Sequence, residues 1–357
     1  MKSTIISRGA LNVAITSMLL AGCGGTQPPA GNPRASSALT TRSGIAPIMH
    51  SKQKQPTWMS PALKGRRDLL YVSDPADGLV IAYDYKSGKQ LGSASGFQLV
   101  YGGCSDKKGD VYFVDFNAAK ITEFADGTLT PIKTLSDSVG SPIGCSVNPT
   151  NGDLAVTNFQ SPSGSGGALI YKGASGSPTS FTAAKNDWPA GYDPNGNLFI
   201  VGLQGACLTG CLEELPAGGN AFQKLSLSGF KLNFPAAVQW DGQYLGVGDQ
   251  ACNGQDYTCV FQVSVSGSTA TAVHTVQLAD PCGGSYVDVV AWANLSKKPN
   301  DLPKKSTTQI AGSNIACTNT VVNKWAYPGG GSPSGQLSVV GPAYGAVIVA
   351  GKWKGGH

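Results

Sequence analysis

The chain repeats itself. A short apolar strand ending in a polar or small residue recurs as Leu70-Tyr71-Val72-Ser73-Asp74, Val111-Tyr112-Phe113-Val114-Asp115, Leu154-Ala155-Val156-Thr157-Asn158 and Leu198-Phe199-Ile200-Val201-Gly202. Looser copies are Tyr244-Leu245-Gly246-Val247-Gly248 and Gln309-Ile310-Ala311-Gly312-Ser313-Asn314. Their last residues lie 41, 43, 44, 46 and 66 positions apart, and the final gap holds a Lys- and Pro-rich insertion over residues 297–305. A period of this size constrains the fold more than any other feature. One such unit cannot bury its apolar face alone, so it must stack on its neighbours.

Each copy is preceded by a strand opened by Pro and small residues, as in Pro142-Ile143-Gly144-Cys145, Pro189-Ala190-Gly191-Tyr192 and Pro235-Ala236-Ala237-Val238. Each is followed by a third strand, such as Val80-Ile81-Ala82-Tyr83, and by a more polar fourth, such as Pro131-Ile132-Lys133-Thr134-Leu135. Four short strands per unit, separated by turn residues, predict an all-β, six-bladed β-propeller of four-stranded blades. The first unit lacks its opening strand, and residues 342–349 supply a spare one. The C-terminal strand is therefore expected to complete the first blade and close the ring over residues 68–350, leaving 351–357 as a tail.

Composition agrees. The 357 residues include 48 Gly and 22 Pro, without the Gly-X-Y period of collagen. Charged residues are 13%, too few for a charge-rich disordered chain. The net charge of +5 is unevenly placed. Lys2, Arg8, Arg34, Arg42, Lys52, Lys54, Lys64, Arg66 and Arg67 precede the first acidic residue, Asp68, and no Arg follows Arg67. The repeat region thus has no guanidinium for phosphate or base contacts, which argues against nucleic acid as a partner.

Residues 1–22 read as a secretory signal: Lys2 and Arg8, an apolar run over residues 10–20, then small residues. The ending Leu20-Ala21-Gly22-Cys23 resembles the lipobox of bacterial lipoproteins. That resemblance implies cleavage before Cys23, lipidation of Cys23, and attachment to the cell envelope on its extracytoplasmic side. With Gly24 next, it implies the outer membrane where two membranes exist. Residues 23–67, rich in Pro, Ser, Gly and basic side chains, are expected to be a flexible tether.

The runs LLYVSD, GDVYFVDF, GDLAVTNF and NGNLFIVG, with their following strands and P-x-G openings, resemble NHL-type six-bladed propellers. The resemblance implies architecture more than activity, since such propellers serve as enzymes, ligand binders and scaffolds. Related sugar lactonases hold a divalent metal on the axis, and Asp74, Asp106, Asp115, Asn158 and Asp288 are the candidate ligands here for Ca²⁺ or another divalent ion. Those lactonases also use a Glu, whereas Glu123, Glu213 and Glu214 fall on third strands away from the axis.

Eight cysteines remain beside Cys23. The repeat register predicts four disulfides: Cys104–Cys145, Cys207–Cys211, Cys252–Cys259 and Cys282–Cys317, all toward one face, as an oxidising compartment permits. The three histidines, His50, His274 and His357, have no setting for a general base or metal ligand. Aromatic residues in or beside opening strands and cysteine-bearing loops, among them Tyr101, Tyr192, Tyr257, Tyr286 and Tyr344, suit a binding surface. With the strand-terminal Asp115, Asn158, Asp249 and Asn314, the first four make up the candidate ligand-binding set. The expectation is a monomeric, lipid-anchored, non-catalytic binding or scaffolding module without cofactor, taking an envelope protein, peptide or glycan. The alternative is a metal-dependent hydrolase of lactonase type.

Overall fold

The computed structural model describes residues 57–60, 68–159, 166–183, 187–204, 209–252, 257–279, 287–293, 309–314 and 321–349. They form six sheets, each with four antiparallel blade strands, arranged as a ring: a six-bladed β-propeller. Blade two shows the plan from the axis outward: Val100–Ser105, Val111–Asp115, Lys120–Phe124 and Pro131–Ser136. The inner strands of the other blades are Pro142–Val147 in blade three, Gly191–Tyr192 in four, Pro235–Trp240 in five, Val287–Ala293 in six and Gly345–Val349 in one. Each touches the next around the ring.

Closure follows the expected route. Gly345–Val349 pairs with Leu69–Asp74, in a register running from Leu69 opposite Val349 to Ser73 opposite Gly345. Blade six is tied to blade one by Lys324, whose Nζ donates to the Tyr85 carbonyl and lies 4.0 Å from that ring's centre. Burial lowers the pKa of this lysine.

Second and third strands are buried on both faces because every sheet is sandwiched between two others. Leu69–Asp74, Val111–Asp115 and Leu154–Asn158 are buried at every position. This is why these strands are continuous apolar runs instead of alternating ones. The apolar side chains gather into clusters that bridge neighbouring blades, as where Tyr71 and Leu91 of blade one meet Phe113 and Phe124 of blade two.

Near the axis the inner strands approach so closely that glycine is required. A Cβ on Gly102 would lie 2.7 Å from the Ile143 carbonyl oxygen, and one on Gly144 would lie 2.6 Å from Pro189. One on Gly191 would lie 2.5 Å from the Val238 carbonyl oxygen, and one on Gly345 would lie 2.6 Å from that of Tyr101. The opening-strand glycines, two of them in P-x-G sequences, are thus wedge points between blades.

Two blades carry a fifth strand that the repeat pattern does not contain. Ser226–Ser228, just after blade four's outer pair Gln223–Lys224, crosses to lie parallel to blade five's outer strand Thr269–Leu278. Trp58–Met59, inside the segment read as tether, pairs with Ser93 and Gly92 on blade one's outer strand. Ser60 N donates to the Leu91 carbonyl at 2.8 Å, and Ser95 N to Thr57 Oγ1 at 3.1 Å. Both additions cover sheet edges that would otherwise expose unpaired backbone. A chain starting at Asp68 should therefore be less stable than one starting at Pro56 by about 1–2 kcal/mol. Equal urea midpoints for the two would show that this strand adds nothing.

Candidate functional site

Every blade turns between its second and third strands at the same end of the ring at which its inner strand begins. At this end lies a continuous apolar layer. Tyr344, preceding blade one's inner strand, meets Tyr101 edge-on at 5.4 Å, and Tyr101 meets Phe116 at 5.5 Å. Further round, Phe159 meets Trp188 at 5.7 Å, and Trp188 meets Phe234 at 5.6 Å. Tyr101, Phe116, Phe159, Trp188 and Tyr344 belong to one cluster, with Leu99 and Val139 between them. All but Tyr101 are half-buried, so each presents an edge to solvent. We call this layer the rim. The indole Nε1 of Trp188 is buried there without an acceptor among the described residues.

The polar residues expected at this end serve the backbone. Asp115 accepts from Gln98 N at 2.7 Å, Leu99 N at 3.0 Å and Ala118 N at 3.1 Å. Asp249 accepts from Asn233 N and Phe234 N, both at 2.8 Å, and from Ala251 N at 3.0 Å. Burial raises the Asp249 pKa against the opposing pull of these three amides. Asn158 accepts from Ser141 N and donates through Nδ2 to Asp137, both at 3.1 Å. Asp74 accepts from Ala76 N at 3.0 Å and Asp77 N at 3.2 Å. In blades two, three and five the strand-terminal side chain thus clamps the loop that leads into its own inner strand.

The candidate metal ligands are not brought together. Asp74, Asp115 and Asn158 end separate blades at the rim, whereas Asp106 lies past the far end of blade two's inner strand, accepting from Lys108 N at 2.8 Å and Asp110 N at 3.0 Å. Four residue steps along a strand span about 13 Å, enough to divide the set between the two ends of the ring. For Asp288 only the backbone is described. Among the described residues, no three His, Cys, Asp or Glu side chains are grouped to hold a metal ion.

Blade four departs from the clamp. Its second strand carries Gly202 where others carry Asp or Asn, and the carboxylate comes from the loop instead, as Asp187, whose backbone bridges to Gly202. Asp187 is fully buried, and among the described residues neither oxygen meets a partner at good hydrogen-bond geometry, the Gly167 N–H being its one weak donor. Burial pushes its pKa up to about 9, Glu213 adds to this, and the Gly167 N–H opposes it. Cys211 stands beside this pair as a free, buried thiol hydrogen-bonded to the Gly202 carbonyl at 3.5 Å. The expected Cys207–Cys211 disulfide is therefore not formed. Cys211 lies within the strand Thr209–Leu215, paired to Gly202 and facing the sheet's neighbours, while Cys207 falls outside the described residues.

Among the described residues two disulfides are present, Cys104–Cys145 and Cys252–Cys259. They do not share a face. Cys252–Cys259 staples blade five's loop at the rim, beside half-buried Tyr257. Cys104 and Cys145 lie partway down their inner strands and join blades two and three on the channel wall. On chain-entropy grounds the 41-residue separation of the latter contributes about 4 kcal/mol, and the short loop about 2. Both bonds fit an oxidising, extracytoplasmic compartment. No helix among the described residues is long and apolar enough to cross a membrane.

Tyr101 thus lies in the rim layer, and Tyr257 beside it. Tyr192 sits at the opposite end of the ring, lining a cleft between blades three and four. Asn314 ends blade six's second strand, where its backbone pairs with Val287. Cys23, Cys282, Tyr286 and Cys317 lie outside the described residues. Phe116, Phe159, Trp188 and Phe234 were missed, although the pairs Asp115-Phe116, Asn158-Phe159, Trp188-Pro189 and Phe234-Pro235 mark them by position in the repeat.

No protein-family model and no curated protein matches the chain. Solved structures match by shape. A chain from a nidogen/laminin complex is 14% identical, with 80% of this chain and 99% of that one covered and a TM-score of 0.58. A protein of unknown function from Bacteroides caccae is 12% identical, with 79% and 99% covered and a TM-score of 0.54. A functionally unknown protein from Desulfotomaculum acetoxidans is 11% identical, with 80% and 100% covered and a TM-score of 0.53. At these identities the likeness establishes the fold alone.

Proposed function

We propose that the protein is a lipid-anchored, extracytoplasmic propeller of NHL type that binds an envelope protein, peptide or glycan through its aromatic rim and catalyses no reaction. The observation that carries this reading is the rim's composition. Half-buried Tyr344, Phe116, Phe159 and Trp188 are backed by buried Tyr101 and Phe234, while the carboxylates beside them are engaged by backbone amides. Such a layer offers rigid apolar contact area at low entropic cost, which suits recognition. The nidogen/laminin neighbour, a propeller taken from a complex, supports a binding role by analogy of fold. Attachment to the envelope rests on the lipobox resemblance at Cys23.

The test uses intact cells. A photo-crosslinking amino acid at Phe159 or Tyr344 should give discrete adducts, whereas one at Val273, on blade five's outer strand and 49% exposed, should give none. Cys23→Ala should move the protein from the membrane to the soluble fraction. Adducts from Val273 but not from the rim, or a membrane-bound Cys23→Ala protein, would each overturn the part they address.

A further inference from the structure

The cleft between blades three and four, at the end of the ring away from the rim, has a volume of about 380 Å³. This falls within the roughly 300–1,000 Å³ usual for small-molecule sites. Buried Tyr192 and Leu198 line it, and half-buried Phe181 forms part of one wall. Blade three's 148–153 loop and blade four's 215–219 turn flank it.

The polar groups are fixed. Asn148 is buried, 7% exposed. Its Oδ1 accepts from Thr150 N at 2.9 Å and from Thr150 Oγ1 at 2.7 Å, which sets the amide's orientation and leaves Nδ2 as a donor with no acceptor among the described residues. Gly196, at φ +87°, packs against that amide, where a Cβ would lie 3.1 Å from Nδ2. The Tyr192 hydroxyl likewise has no hydrogen-bond partner among the described residues. Burial first, and the Asp153 charge second, raise its pKa, so it remains a donor. Asp153 supplies acceptors, one oxygen bonded to Gly173 N at 2.8 Å and the other to Asn151 Nδ2 at 2.9 Å.

We infer that this cleft is a binding site for a neutral saccharide. Its occupant must offer acceptors to Asn148 Nδ2 and Tyr192 Oη, donors to Asp153, and an apolar face to Phe181. A pyranose carries hydroxyls that both donate and accept around a ring whose C–H faces pack on aromatic edges. A purely apolar ligand would strand the amide and the phenol without partners. An anionic ligand would meet Asp153 with Lys172 as the one cation among the lining residues. This site stands whether or not the rim binds a partner.

Calorimetric titration of the full chain with cellobiose, maltose and chitobiose tests it. At least one should bind saturably with a Kd of about 1 mM or below. Tyr192→Phe, which keeps the ring and removes the hydroxyl, should weaken binding about five- to tenfold. Ala217→Trp, at an exposed position on the cleft's edge, should abolish binding while leaving the melting temperature unchanged. Absence of saturable heat from all three sugars would overturn the proposal. So would binding that survives Ala217→Trp, or binding confined to uronic or sulfated sugars.

Discussion

Gly191→Ala lowers the stability of the propeller by about 3 kcal/mol, although it adds a single methyl group. Overpacking costs roughly 1–3 kcal/mol where neighbours can shift. Here they cannot readily do so. The new Cβ would lie 2.5 Å from the carbonyl oxygen of Val238, 2.8 Å from its carbon and 2.9 Å from Cα of Gln239, all backbone atoms of the adjoining inner strand. To admit it, blade five must tilt away from blade four, which opens the apolar cluster containing Phe199, Val201, Val238 and Val247. Gly335→Ala on blade six's outer strand is the control, because a Cβ there meets only Lys324 Cδ at 4.0 Å. Chemical denaturation of the two variants checks this. Equal midpoints would mean that the inner strands do not wedge the blades apart.

The second large effect is on pH. An aspartate in an unfolded chain titrates near 4, whereas Asp187 in the folded protein titrates at about 9. Between these values the folded chain keeps a proton that the unfolded chain has released. Stability therefore falls as pH rises through this window, by up to about 1.4 kcal/mol per pH unit from this one group. Asp187→Asn keeps the shape and removes the ionisation. Its melting temperature should stay level from pH 5 to 8 while that of the natural protein declines, and the variant should be the more stable at pH 8. Parallel profiles would show that Asp187 ionises normally in the folded state.

The blade plan could be read from the sequence because it is a local signal repeated. Leu70 to Asp74 and its copies in blades two and three are apolar runs closed by one or two polar residues and are buried at every position, and a strand buried on both faces shows no alternation. The closing strand was legible for the same reason, since residues 342–349 have the opening pattern with no unit of their own. The strand pairings of Trp58–Met59 and Ser226–Ser228 were not legible, although Trp58 and Met59 stand out as a sizeable apolar pair before the first blade. Two or three edge residues pair mainly through backbone atoms, and their side chains carry little periodicity.

The site was read less well, for a physical reason. Asp115, Asn158 and Asp249 have the chemistry of ligands, but what they do depends on how many loop amides point at them, and spacing does not record that. Cys104 and Cys145 were correctly paired by register but assigned to the wrong end of their strands. Cys211 was paired by proximity in sequence, although its position within a strand turns its sulfur into the sheet packing. The departure at blade four was visible only as a Gly where Asp or Asn stands elsewhere. That the carboxylate returns from the loop at Asp187 needed three dimensions.

The pairing of Trp58–Met59 with blade one also has a mechanical side. Any pull on the chain from before Thr57 acts first on two residue pairs at the edge of a sheet, where hydrogen bonds are loaded one at a time and part at low force. Once they are lost, tension reaches Leu69–Asp74, which is gripped on one side by Leu79–Asp84 and on the other by Gly345–Val349 along its length. There the ladder is loaded all together. The outer strand is a slip that yields early and frees residues 57–60 from the sheet, while the ring behind it stays shut.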